Sequence, residues 1–69
     1  MEYQQGKLIG WMELSSRFKQ MRGIGVGYHT IQSWQVSGMP YIRDGRYIWY
    51  EWEDCKNWYF HKFTVRRVA

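Results

Sequence analysis

Between Tyr28 and Tyr47 the chain carries side chains suited to reading another molecule. Tyr28, His29, Gln32, Ser33 and Gln35 fall on the outward side of a helical repeat, and Thr30 can face either way. A glutamine amide both donates and accepts, so it can pair with the edge of an adenine; serine or histidine can reach base edges or phosphate. A solvated helix surface uses the same residue types. Further on, Arg43 and Arg46 flank Asp44-Gly45, with Tyr47 next in line. Asp-Gly between two β-prone runs is a hairpin signal. A turn centred on that pair sets the two arginines opposite each other, where like charges repel. The pair is therefore expected to meet phosphate or a minor groove, or to be fully solvated. Arg17, Lys19 and Arg22 lie earlier in the chain; a backbone contact and a solvated face are equally open for them.

Catalytic chemistry has little to work with. Glu51, Glu53 and Asp54 cluster, but the first turn of a helix favours carboxylates through its dipole and accounts for them. No nucleophile, base and orienting group assemble, so the chain reads as a non-enzyme without a cofactor. Two histidines and one cysteine, widely spaced, fall short of the four ligands of a structural zinc. The run Gly23-Ile24-Gly25-Val26-Gly27 invites a nucleotide-binding reading. A dinucleotide fingerprint needs a strand before it, a G-x-G-x-x-G spacing and a βαβ unit. Here the spacing is G-x-G-x-G, the preceding segment is helical, and no Gly-Lys-Ser or Gly-Lys-Thr occurs. The glycines read better as a flexible turn that lets two helices cross steeply. That turn also exposes amides at the start of the second helix, where an anion is favoured.

The elements that must position these residues follow from periodicity. Trp11, Leu14, Phe18 and Met21 recur at helical spacing and predict a first helix over 11–21. A second helix is expected over 28–36, with Ile31 and Trp34 inward; Tyr28 is a further candidate for that inner face. Gly38 suits a left-handed terminating position, and Pro40 blocks continuation. The hairpin spans 41–49. A third helix is expected over 51–63, with acids in its first turn, Lys62 in its last, and Cys55, Trp58, Tyr59 and Lys62 or Phe63 on one face. Trp49, Trp52 and Trp58 are expected mostly in the core, with Trp52 the one to be partly exposed. Residues 1–7 are polar and expected to fray. Arg66 and Arg67 close the chain as a basic tail or a solvated end.

Composition bounds the whole. The 69 residues make one domain at most, with an ordered core over roughly 8–63. A chain this short buries only about 60% of its unfolded surface; five Trp, six Tyr and three Phe compensate, each worth roughly 150–250 Å² of burial. One cysteine excludes an intramolecular disulfide and fits a reducing cytoplasm. No apolar run approaches the roughly 18 residues of a membrane span, and MEYQQGK lacks the features of a signal peptide. Ten Lys or Arg against six acids leave +4, which points to an anionic partner or to ordinary solubility.

Helix, turn, helix, hairpin, helix is the outline of a small winged helix-turn-helix, mainly α with one β-hairpin. The segment HTIQSWQVSGMP, with Thr30-Ile31-Gln32, Trp34-Gln35 and Gly38-Met39-Pro40, resembles the N-terminal winged helix of small terminase subunits of lambda-like phages. Trp49-Tyr50 and Trp58-Tyr59 extend the likeness. More broadly the pattern is similar to the MerR-like superfamily, which includes phage excisionases. The resemblance covers roughly residues 8–62. It implies double-stranded DNA as partner, with the second helix in the major groove and the hairpin as a wing on the adjacent backbone. Gln32, His29 and Ser33 are then expected to contact DNA.

The resemblance also implies a cytoplasmic setting in a bacterial or phage-infected cell, an integrase, recombinase or packaging partner, and cooperative self-association on DNA. Two departures stand out: a longer loop between the first two helices, and no coiled coil after the third. The first bears on the angle at which the two helices cross. The second favours an excisionase-like architectural factor or a small regulator over a terminase domain. The excisionase-like role is the leading expectation, with a terminase domain or a small transcriptional regulator as the alternative. A protein-binding module with an exposed aromatic surface is the alternative from another class.

Overall fold

The computed structural model describes residues 8–65; the expectations for 1–7 and for Arg66 and Arg67 lie outside them. Three helices and a three-stranded antiparallel sheet make up the described fold: β1 (Leu8–Ile9), α1 (Trp11–Arg22), α2 (Tyr28–Val36), β2 (Ile42–Asp44), β3 (Tyr47–Glu51) and α3 (Trp52–Phe63). The strand order is β1-β3-β2.

Each helix boundary has a local cause. Gly23, at φ +79°, ends α1 in the left-handed region and donates its amide to the Lys19 carbonyl; a residue with a Cβ is disfavoured there. At the end of α2 the Gly38 amide donates to the Gln35 carbonyl and the Met39 amide to the Trp34 carbonyl. With Gly38 at φ +114°, this is the Schellman arrangement, and it drives Met39 into the core, where it is almost fully buried. Glu51 caps α3 by accepting from the Asp54 amide at 3.0 Å, so this acid belongs to the cap rather than to the first turn.

Every element except the exposed strand β2 places a residue in one core: Ile9, Leu14, Phe18, Ile31, Tyr50 and Cys55, joined by Val26 and Met39 from the connections. Phe18 is the hub of an aromatic cluster, with ring centroids 5.0 Å from Trp52, 5.2 Å from Trp34 and 5.4 Å from Tyr59. The glycine-rich loop is anchored to this core: Val26 is buried, and the Ser15 hydroxyl donates to its carbonyl. It is therefore a pinned crossover between α1 and α2, not simply a flexible turn.

Four expectations need correction. First, Leu8–Ile9 forms a strand, pairing Leu8 with Glu51 and Ile9 with Tyr50; two residues are too few for any periodic signal. Second, the hairpin turn is centred on Gly45-Arg46, because Asp44 pairs with Tyr47 and Arg43 with Ile48. Of the two central residues only Gly45 has positive φ, at +62°, as a type II′ turn requires; a type I′ turn at this position would also need positive φ at Arg46. The arginines therefore do not face each other, and Arg43 Nε donates to the Gly45 carbonyl at 3.3 Å. Third, Trp49 is 36% exposed while its neighbour Tyr50 is 2% exposed. Strand alternation allows only one of them inward. Trp52 and Trp58 are half-buried against the core. Fourth, Tyr28 is exposed rather than on the inner face of α2; Trp34 does lie on that face, packed against the core among Phe18, Trp58, Tyr59 and Phe63, but is only half-buried.

Candidate nucleic-acid interface

The sequence of α2, YHTIQSWQV, contains no Asp, Glu, Lys or Arg. Its geometry sorts these residues by direction, at about 100° per residue. Ile31 points into the core, and Trp34 turns towards α3, where it meets Trp58 and Tyr59. His29, Thr30, Gln32 and Ser33 are exposed. Gly27 precedes the helix and has no side chain to cap it, so the first amides point outward without an intrahelical partner.

Tyr28, Gln32, Gln35 and Val36 of α2 face the hairpin across an open groove of about 450 Å³. Trp11, packed on Tyr28, also lines it, and Tyr41, Arg46, Tyr47, Ile48 and Tyr50 line it from the hairpin side. Two polar contacts set its shape. The Tyr50 hydroxyl donates to Gln35 Oε1 at 2.9 Å and ties the base of the hairpin to α2. Gln32 Nε2 donates to the Tyr28 hydroxyl at 3.2 Å, one turn away on the same helix. Tyr28 is itself steadied by Trp11, with ring centroids 5.0 Å apart. Burial pushes the Tyr50 hydroxyl up to about 12, with smaller contributions from Cys55, Tyr28 and Tyr41. It is therefore a constant hydrogen-bond donor at neutral pH.

The structure thus brings together Tyr28, Gln32 and Gln35 of α2 with Arg46 and Tyr47 of the hairpin. His29, Thr30 and Ser33 lie exposed on the same helix outside the groove, and Arg43 lies exposed on β2. Gln35 is half-buried, and its carbonyl oxygen is engaged by Tyr50, which leaves its amide nitrogen free to donate to a partner.

The cations of α1 are not gathered with this group. Arg17 Nε pairs with Glu13 at 3.0 Å. Together they line a separate hollow with Ser16, Gln20, Met21, Trp52 and Lys56. The Arg22 guanidinium lies 5.6 Å from the Trp34 ring centre and 5.9 Å from that of Tyr59. A cation over aromatic faces is attracted by the ring quadrupole, so Arg22 has a packing role. Lys19 is exposed.

Trp11, Tyr41 and Tyr50 belong to the groove although their types and spacing did not mark them as functional. Trp11 read as the start of the core stripe of α1. Tyr41 and Tyr50 read as strand residues, and only the pairing of β2 with β3 carries them to α2. Among the described residues no group of three or more His, Cys, Asp or Glu could hold a metal ion. No helix there is long and apolar enough to cross a membrane. No protein-family model, curated protein or solved structure matches the chain.

Proposed function

We propose that this chain binds double-stranded DNA as a winged helix-turn-helix, with α2 as the reading helix and the β2–β3 hairpin as the clamp. The observation that carries the proposal is the juxtaposition of an exposed, polar helix free of formal charge with a hairpin bearing Arg43 and Arg46. An acid-free helix face can approach phosphates without repulsion. Its polar side chains suit base edges, and cations on the hairpin suit the adjacent backbone. Three of the five acids among the described residues, Glu51, Glu53 and Asp54, are gathered at the start of α3, and the net charge of +4 favours a polyanion. In this arrangement His29, Gln32 and Ser33 contact bases, and Arg43 and Arg46 contact phosphate or a minor groove. An architectural role in site-specific recombination rests on the resemblance of the HTIQSWQVSGMP segment alone.

The test is fluorescence anisotropy with labelled duplex DNA across a salt series. If about four to six phosphates are neutralised, the logarithm of affinity falls by about 4 to 5 per tenfold rise in salt. A flat salt response, or no binding at low salt, overturns the proposal. One observation favours a second reading, a protein-binding surface. Ile42 and Trp49 pair across the strands on the sheet face away from Tyr50, and both are exposed. A partner protein bound there while duplex DNA is ignored would select it.

A further inference from the structure

We infer that the groove between α2 and the hairpin is a subsite for an unpaired nucleotide, so that the protein also binds single-stranded DNA. The inference rests on the reading of α2 and the hairpin as the nucleic-acid face. It goes beyond that reading, because a helix laid in a major groove and an arginine on a backbone need no pocket between them.

Three features of the groove point to this ligand. Its volume of about 450 Å³ falls within the range of about 300–1,000 Å³ of small-molecule sites, although it stays open along one side as a strand requires. Its walls are aromatic. Trp11 packs against Tyr28, whereas Tyr41 and Tyr47 across the groove are 45% and 61% exposed. Both residues line the groove and are exposed enough to offer ring surface to a planar group, and every base has a face to stack.

The polar groups are those that a nucleotide uses. Gln32 spends its amide nitrogen on Tyr28, leaving Oε1 to accept; Gln35 spends Oε1 on Tyr50, leaving Nε2 to donate. One acceptor and one donor on neighbouring turns of the helix can meet the edge of a base. Arg46, from the turn, supplies the cation for the attached phosphate. Among the described residues no carboxylate lines the groove, which fits an anionic ligand and disfavours a cationic one. An apolar peptide would leave both glutamine amides and the guanidinium unused.

The experiment compares a labelled twelve-residue oligothymidylate with a blunt duplex on the full chain, for the parent and for Tyr41→Ala, Tyr47→Ala and Tyr47→Phe. Both tyrosines are exposed, so the variants should fold, and circular dichroism checks that they do. The expected result is that each alanine variant weakens the oligothymidylate about fivefold to a hundredfold, as loss of a stacking ring does. Tyr47→Phe keeps the ring and should bind it like the parent. Duplex affinity should change less than about twofold in Tyr41→Ala. The salt slope per phosphate should be nearer 0.7 for the oligothymidylate than the 0.9 of duplex.

If the duplex binds and the oligothymidylate is either ignored or indifferent to loss of the rings, the groove assignment is wrong and the duplex reading stands. If the oligothymidylate binds through the rings and the duplex does not bind, the groove assignment stands and the duplex reading falls. Binding of neither overturns both.

Discussion

Replacing Phe18 by alanine tests the architecture that holds the interface together. Phe18 is fully buried and is touched by rings from both of the other helices: Trp34 of α2, and Trp52 and Tyr59 of α3. Removing a buried phenyl group costs about 3–5 kcal/mol in transfer and cavity contributions. The aromatic pairs at 5.0–5.4 Å place the expectation at the upper part of that range, since each pair adds about 0.5–1.5 kcal/mol beyond area. A 69-residue domain has a total stability of only about 3–10 kcal/mol.

The loss is therefore comparable to everything the fold has. In a domain of this size it lowers Tm by about 12–40 °C, enough to leave much of the chain unfolded at room temperature. Circular dichroism melts of the parent and of Phe18→Ala measure this directly. Trp49→Ala serves as the comparison, because Trp49 lies on the open sheet face opposite Ile42. A cross-strand pair contributes about 0.2–1 kcal/mol, so that variant should lose only a few degrees. A Phe18→Ala melt within about 5 °C of the parent, or a Trp49→Ala variant hit harder than Phe18→Ala, would refute the placement of the core between the helices.

Tyr50→Phe should cost about 0.5–1.5 kcal/mol, because it removes the hydroxyl that donates to Gln35 while the freed glutamine oxygen can take water from the groove; a chemical-denaturation midpoint unchanged from the parent would show that this bond does not tie hairpin to helix. Gln32→Ala should lose about 1–3 kcal/mol of binding to a preferred duplex and relax base preference at one position, whereas Arg46→Ala should weaken all duplexes alike and lower the salt slope by about one; the reverse pattern, read by titrating preferred and scrambled duplexes, would exchange the roles of helix and hairpin.

Stability should also decline as pH rises from about 9 to 12. Burial lifts the Cys55 thiol from 9.0 and the Tyr50 hydroxyl from 10.0, both to about 12, with Asp54 and Glu51 adding to the rise at Cys55. Over that interval the folded chain binds more protons than the unfolded one, so the slope of unfolding free energy with pH is negative; denaturant titrations at pH 8 and pH 10.5 check it, and equal midpoints would contradict it. For the same reason a thiol reagent at pH 8 should label Cys55 only as fast as the fold opens, since the reactive species is the thiolate.

Much of this molecule is local, and the local part was legible in the residues. The apolar spacing of Leu14 and Phe18, the Gly38-Met39-Pro40 stop after α2 and the acids before Cys55 each express a preference satisfied within a few residues, so all three helices are found where periodicity places them. The hairpin is legible for the same reason, but its register is not. Asp44-Gly45 and Gly45-Arg46 both make acceptable two-residue turns, and the choice falls to the pairing that sends Tyr50 into the core and Trp49 out of it. A shift of one residue exchanges every side chain between faces, so only packing against the helices can decide. Strand β1 has no local signal at all; it exists because β3 offers it an edge.

The candidate site divides in the same way. That α2 would be polar outside and apolar inside follows from its own repeat. That Tyr28, Gln32 and Gln35 share a groove with Tyr41, Arg46 and Tyr47 depends on how a hairpin folds back on a helix. That Arg22 lies over Trp34 and Tyr59, apart from this groove, depends on which way α1 crosses α2. Residue type and spacing set what each side chain can do. Which partners it meets is decided by contacts between segments distant in the chain, where burial, not local propensity, selects one arrangement.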